Sequence, residues 1–384
     1  RDLHTMKKAI PFTKPYIYKN ESQYLLDVLK SSQWSGDRTF SKKCESFFKE
    51  KYGFLRTLLT PSCTAALELM ALLIELKAGD EVIIPSYTFP TTASAMALRG
   101  ATPRFVDVDP KTLNITLDKI KEAHNENTKA VLVVHYGGYA CDIEAIASYC
   151  KEHNLYLFED AAQCIHSFYK EKPLGSFGDL GAISFHETKN ISCGEGGALF
   201  INNPKLVENA EIIREKGTDR SKFLRGEIDK YSWKKIGSSF LLSEFNSAVL
   251  LAQLEGVDEI TRRRTTLWDN YYSELKNLSE SNDFTLPKLL ENVQGNGHIF
   301  WMTLKDDPTQ SELQNYLKDY GITATSHFVP LHESDAGRKF GKTQGGLNLT
   351  KDLANRVLRL PLFYELTDEN QNYIIEKIKA FFKK

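Results

Sequence analysis

The sequence predicts an α/β protein: a mostly parallel sheet covered by helices on both faces, followed by a smaller C-terminal α/β unit. Two observations predict it. From Thr57 onward, short apolar runs alternate with helical stretches, and beyond Gly237 the apolar residues switch to helical spacing before short strands and helices return. Alternation of this kind requires crossover connections, which lay strands parallel and bury both faces of the sheet. A chain of 384 residues, 41% hydrophobic and 26% charged, can bury a substantial core and divide into two domains. The expected division is 6–250 and 251–384.

Taken in order, TLLT precedes a helix from Cys63 to Leu76, EVIIPS precedes Thr91 to Leu98, and PRFVDVD precedes Leu117 to Ala123. AVLVVHY then precedes Ile143 to His153, and LYLFED closes the series. AISFH and GGALFI follow with no helix between them, so the segment carrying Lys189 is expected to be a turn joining two strands. Leu250, Leu254, Val257, Ile260, Leu267, Tyr271 and Leu275 recur at helical spacing and predict one long amphipathic helix bridging the domains. HIFWMTL, Glu312 to Tyr320, ITATSHF and Glu369 to Phe382 make up the smaller unit.

Composition excludes several functions. Lys plus Arg (49) nearly balances Asp plus Glu (50), and the charges are scattered, so there is no nucleic-acid footprint. The expected partners are small molecules and further copies of the chain. Cys44, Cys63, Cys141, Cys150, Cys164 and Cys193 form no CxxC pair, which points to the reducing cytoplasm and to no metal site. No apolar run approaches the roughly 20 residues of a membrane span. The opening RDLHTMKKAIPF lacks the apolar core of a secretory signal. The five residues before Met6 are read as an expression remnant and set aside.

In an open parallel sheet, ligands collect at the carboxyl ends of the strands, and several polar groups lie there. In TPSCTAAL, Ser62 can cap a helix whose first N–H groups, beside Ser62 and Thr64, suit a phosphate; an ordinary capped helix reads the same way. Glu159 and Asp160 end what should be an interior strand, where a carboxylate is costly unless something charged faces it, although an aspartate capping the next turn is also common. Phe89 follows the strand in PSYTFP and either lays its ring on a flat ligand or packs in the core. His135 and His327 fit structural hydrogen-bonding roles, and the spacing of His327 and His332 does not suggest a shared metal.

One ligand meets the combined demands of a phosphate nest, a strand-end carboxylate, a flat aromatic ring and a turn lysine: pyridoxal 5'-phosphate (PLP). Its aldehyde condenses with a lysine while an acid keeps its ring nitrogen protonated. Crowding and neighbouring positive charge would lower the pKa of Lys189, making it a nucleophile and later a base. The glycines of GEGG form neither GxGxxG nor GxxxxGK and are expected to serve the tight backbone beside the site. The missing glycine fingerprint argues against a nicotinamide-dependent oxidoreductase. A PLP-dependent dehydratase or lyase, or a cofactor-holding protein without catalysis, stays open.

The motifs TPSCTAAL, GDEVIIPSYTF, FVDVD, VVHYGGYACD, EDAAQC, SFHETKNISCGEGGAL and HFVPLH resemble, in content and order, the sugar aminotransferases of the DegT/DnrJ/EryC1/StrS family. The resemblance runs from Ile10 to the C terminus and implies the type I fold of aspartate aminotransferase. It implies that Lys189 holds the cofactor aldehyde and Asp160 the pyridine nitrogen. Phe89 would stack on the ring, Gln163 would lie near the ring hydroxyl, and Cys63, Thr64 and Ser184 would hold the phosphate. His327 is the candidate substrate contact. Relatives complete the phosphate site with an asparagine of the neighbouring subunit in a GxN stretch; here the matching stretch is Gly237, Ser238, Ser239, which makes Ser239 the candidate and a homodimer the expected unit. Some relatives replace the lysine with histidine and become dehydratases, and this chain keeps lysine. SFHETKN, IIREKGTDRS, KYSWKKIGSSF and LRLPLFYEL are similar to members that aminate C4 of dTDP-4-keto-6-deoxyglucose with L-glutamate. Those members release 2-oxoglutarate, pass through pyridoxamine 5'-phosphate, and make dTDP-4-amino-4,6-dideoxygalactose for surface polysaccharide. Action at C3, or delivery of the gluco epimer, is the alternative.

Overall fold

A computed structural model describes residues 9–280, 284–288 and 290–383. The opening residues through Lys8, including those set aside before Met6, lie outside the described residues. Seven main strands build the large sheet: β1 (Arg56–Thr60), β2 (Glu81–Pro85), β3 (Thr102–Val106), β4 (Thr128–Val134), β5 (Tyr156–Asp160), β6 (Leu180–Ser184) and β7 (Gly197–Ile201). Their order is β1-β7-β6-β5-β4-β2-β3, with the two-residue strand Lys342–Thr343 added at the β3 edge. β2 to β6 pair in parallel, and β7 alone runs against its neighbours β1 and β6.

The β2 side chains show why the strands are continuously apolar. Val82 and Ile84 enter the core beneath the helix Cys63–Leu73, while Ile83 enters the core on the opposite face with Ile143 and Ile146. Successive strand residues point to opposite faces, so a sheet covered on both sides needs apolar residues at every position.

Helices Glu21–Ser31 and Thr39–Tyr52 precede β1 and pack on the helix Glu244–Glu255. The expected single long helix is two. Leu250 and Leu254 belong to Glu244–Glu255, and Val257 onward to Val257–Ser279, with Gly256 between them. A Cβ at Gly256 would sit 2.3 Å from the Tyr18 ring, so the glycine gives the N-terminal segment room to cross where the helices meet. The apolar periodicity carries through the break and conceals it.

A second sheet joins β8 (Phe300–Leu304) to β9 (Val357–Leu360) and the two-residue strand Phe284–Thr285, around its own core of Phe300, Met302, Leu313, Leu317 and Ile374. The helix expected from Glu312 begins earlier, at Asp307, capped by Asp306. ITATSHF is not a strand. It makes isolated bridges, Ile322 to Ile10 and Thr325 to Arg359, and leaves His327 free to turn toward the large sheet. No helix among the described residues is long and apolar enough to cross a membrane.

Because β7 is antiparallel, its first residue, Gly197, lies between Thr60 and Ser184 at the carboxyl ends of β1 and β6. A Cβ there would fall 2.4 Å from the Cys63 amide nitrogen. Gly197→Ala is therefore expected to cost about 1–3 kcal/mol through overpacking. Urea denaturation measures it, and an unchanged midpoint would contradict the close approach.

Candidate active site

Asp160 and Glu159 end the same strand and meet opposite fates, because consecutive side chains face opposite ways. Glu159 is fully buried and accepts from the backbone N–H groups of Gly175, Phe177 and Gly178 at 2.8, 2.6 and 2.7 Å. His135 Nδ1 accepts from Cys141 N–H, so Nε2 carries the hydrogen and donates to Glu159 at 2.9 Å. His135 and Glu159 are thus structural. Asp160 faces a cavity of about 490 Å³. It accepts from Thr92 Oγ1 at 2.8 Å and from the Ala162 N–H at 3.2 Å. Burial raises its pKa above the usual 3.8, against the pull of these two donors and of the Lys189 charge. A carboxyl in that position is completed by a cation placed against it.

Lys189 occupies the turn between β6 and β7, at the floor of the cavity and only partly exposed. The hairpin backbone holds the turn through Phe185 N–H to Gly196 O at 2.8 Å and Glu187 N–H to Gly194 O at 2.9 Å. The glycines earn their place by close approach: a Cβ on Gly196 would meet Cys193 Sγ at 2.4 Å, and Gly194 has φ +84°. The next residue, Asn190, is pinned by Tyr16 Oη on its carbonyl (2.7 Å), by the Asn296 carbonyl on its Nδ2 (2.9 Å), and by His298 Nδ1 beside its Oδ1 (2.9 Å). Burial lowers the Lys189 amine below 10.5; Cys63 and Asp160 oppose the shift, and Arg359 adds to it.

The remaining candidates converge from other elements. Ser62 caps the helix Cys63–Leu73 by accepting from the Ala65 N–H at 3.0 Å, while its carbonyl takes the Ala66 N–H, which leaves the Cys63 and Thr64 N–H groups at the cavity. Ser184 lines the same wall. Phe89 is 57% exposed, an apolar face held in the cavity rather than packed away. Gln163 accepts the Gly137 N–H at 2.6 Å, which fixes its amide against the site. His327 lies beside Tyr136 Oη at 3.1 Å, and its carbonyl accepts the Tyr87 hydroxyl. Burial, with Arg359 and Lys189, holds its pKa down to about 2, so His327 acts as a neutral ring.

Ser239 does not line this cavity; it is exposed and bridges Glu215. His332 also stays outside, beside Ser86 Oγ at 2.7 Å. Sequence reading missed Thr92, Arg264, His298 and Arg359, all of which line the cavity or hold its groups. Thr92 carried a faint signal, one turn into the helix that follows Phe89. The other three are gathered from distant segments and carried none.

The residues present fit PLP. The helix start at Ser62–Thr64 with Ser184 can hold a phosphate, Asp160 lacks the cation that a protonated pyridine supplies, Phe89 offers an exposed ring, and Lys189 is an amine of lowered pKa.

Comparisons with known proteins agree. The model of the DegT/DnrJ/EryC1/StrS aminotransferase family matches residues 15–379. GDP-perosamine synthase of Escherichia coli O157:H7 is 30% identical over 384 residues, covering 98% of this chain and 99% of that protein. The crystal structure of the aminotransferase TlmJ from Streptoalloteichus hindustanus matches with a TM-score of 0.89 at 30% identity, over 98% of this chain and 99% of that one. The PLP form of Spr1654 from Streptococcus pneumoniae matches with a TM-score of 0.88 at 25% identity, over 98% and 99% of the two chains.

The His327 shift has a consequence for stability. Below its ordinary value of 6.5 the unfolded chain binds a proton that the folded ring refuses until about 2, so stability falls as pH drops through that window. At pH 5 this site alone should cost about 2 kcal/mol. Denaturant titrations at pH 7 and pH 5 should therefore show a smaller acid loss for His327→Gln than for the parent; equal losses would refute the assignment.

Proposed function

The chain belongs to the DegT/DnrJ/EryC1/StrS aminotransferase family and is a PLP-dependent transaminase, and from that premise we propose that it moves the amino group of L-glutamate to C4 of a nucleotide-linked 4-keto-6-deoxy sugar. The preferred substrate is dTDP-4-keto-6-deoxyglucose, and the product dTDP-4-amino-4,6-dideoxygalactose. One observation carries the reading: Lys189, Asp160, Phe89 and the helix start at Ser62 line a single cavity. The choice of nucleotide and carbon is supported by the likeness of SFHETKN, IIREKGTDRS, KYSWKKIGSSF and LRLPLFYEL to members with that specificity.

When bound, PLP supplies an aldehyde that takes up an amino group and an electron-poor ring that stabilises negative charge at the adjoining carbon. Asp160 keeps a proton on the ring nitrogen, held in place by Thr92. Lys189 Nζ would hold the cofactor at its aldehyde carbon until a donor amine takes that place. As a free amine of lowered pKa, it would then move a proton between the donor α-carbon and C4' of the cofactor. With the keto sugar bound, Lys189 returns the proton in the opposite direction, to C4 of the sugar. Phe89 holds the ring plane, and the Cys63 and Thr64 N–H groups anchor the phosphate. Arg264 and Arg359 add positive charge to the walls, which favours anionic substrates.

The working unit is a homodimer with shared sites, which the position of Ser239 supports: exposed and outside its own cavity, it is available to a second copy. Exposed Trp233 and Ile236 lie on the same stretch of chain. Six free cysteines accord with the cytoplasm.

Borohydride reduction and peptide mapping should tag Lys189 in the parent and nothing in Lys189→Ala. Asp160→Asn should retain some cofactor yet lower kcat at least about 100-fold. Glutamate with a panel of nucleotide keto sugars, products read by NMR, tests the substrate. A tag at another lysine, or near-normal turnover by Asp160→Asn, would sink the mechanism.

A further inference from the structure

The carboxylate assigned to the ring nitrogen is backed by a chain of two hydroxyls. Thr88 and Thr92 stand four residues apart, on either side of the start of the helix Pro90–Ala97, and both are buried. Thr92 Oγ1 donates to Asp160 Oδ2 at 2.8 Å, and Thr88 Oγ1 lies 2.9 Å from Thr92 Oγ1. A hydroxyl has one hydrogen to give. Thr92 spends its hydrogen on the carboxylate, so the second contact is Thr88 donating to Thr92, and both O–H groups point along the chain toward Asp160. A threonine inside a helix often returns its hydrogen to the carbonyl four residues back, and Thr92 sends it across to β5 instead.

We propose that Thr88 and Thr92 act as a relay that keeps Asp160 ionised in its buried position, and through it keeps the ring nitrogen of the bound cofactor protonated. The proposal rests on the PLP-dependent transaminase reading and not on the choice of sugar. Burial favours the neutral arrangement, a carboxylic acid facing an unprotonated pyridine, because it removes two charges from a dry place. Each hydrogen bond donated to the carboxylate opposes this, because it stabilises the charged form. Thr88 polarises the Thr92 hydroxyl, and so strengthens the bond to Asp160 without touching it. The groups around Asp160 leave that task to the relay and to the Ala162 N–H. Glu159 faces the other side of the sheet, and His135 is neutral and committed to it. Burial keeps the Cys63 and Cys164 thiols protonated, and the Lys189 amine is engaged by the aldehyde once the cofactor is bound. Thr88 and Thr92 are therefore positioning residues, acting through Asp160.

The test uses the protein loaded with PLP carrying nitrogen-15 in its ring, whose NMR signal moves between a protonated and an unprotonated position. Near neutral pH, Thr92→Val, which keeps the shape and removes the hydroxyl, should lower the ratio of protonated to unprotonated nitrogen at least about tenfold. Thr88→Val should lower it about twofold. Thr92→Ser, which keeps the hydroxyl, should hold the signal at the parent position. Adding Thr88→Val to Thr92→Val should change nothing further, because the relay is already broken. Amine exchange with glutamate and with 2-oxoglutarate should slow about tenfold in Thr92→Val while the half-saturating concentrations stay within about twofold, since the electron-poor ring serves both directions. An unmoved nitrogen signal in Thr92→Val would overturn the proposal. So would an equal shift in Thr92→Ser, which marks packing rather than the hydroxyl, and so would additive effects of the two valines. An unprotonated nitrogen in the parent would overturn the role of Asp160 along with the relay. If the parent exchanges amine with glutamate but aminates no keto sugar, the substrate proposal fails while the nitrogen signal still decides the role of the two threonines.

Discussion

A carboxyl group buried at the end of an interior strand, with no cation of its own, governs the chemistry of this chain. Asp160 has the Thr92 hydroxyl and the Ala162 N–H, and burial still holds it toward its protonated form. Glu159, one residue earlier, shows the contrasting solution: three backbone N–H groups and a histidine satisfy it completely within the protein. The difference between the two acids is a difference of face. One closes a loop against the sheet, and the other is left for a ligand. A protonated pyridine supplies what Asp160 lacks, and it can do so only where the remaining groups of the cavity are also in reach.

Those groups are brought into reach by the direction of one strand. β7 runs antiparallel, so the hairpin carrying Lys189 turns back at the carboxyl edge where Asp160, Ser62 and Phe89 already lie. The absence of a side chain on Gly197 lets that hairpin press against the start of the helix Cys63–Leu73. Asn190, tied to Tyr16, Asn296 and His298, then limits the freedom of the neighbouring lysine. A flexible amine loses side-chain entropy on reaching a fixed target, and anchoring the backbone beforehand reduces what remains to be lost.

The cavity is also a problem of charge. Lys189, Arg264 and Arg359 face it against Asp160 and the exposed Glu195. Lowered pKa values at the lysine and both arginines express the strain of holding cations in a partly dry space, and at the lysine the Arg359 charge adds to the effect of burial. Anionic substrates relieve that strain as they bind, so the same charges that disfavour the empty cavity favour a loaded one. His327 and His298, forced neutral by burial and by these cations, contribute no further positive charge.

The sequence by itself determined the α/β class, the strand series from β1 to β7, the turn at Lys189 and the set of groups suited to PLP. These are local: periodicity, capping residues and strand ends are written within a few residues of one another. It did not reveal that the helical run from Leu250 to Leu275 breaks at Gly256, because the apolar spacing continues through the break, where Tyr18 from far away in the chain packs against the glycine. Local pattern did not separate Glu159 from Asp160, which only the family resemblance did, since facing is decided by what packs on each side of the sheet. Nor did it mark Arg359, whose meaning is an unpaired nitrogen among Thr325, Ser326 and Phe12. Tertiary structure alone decided these, because the energy of a buried charge depends on which distant groups surround it, and one-dimensional order does not record that.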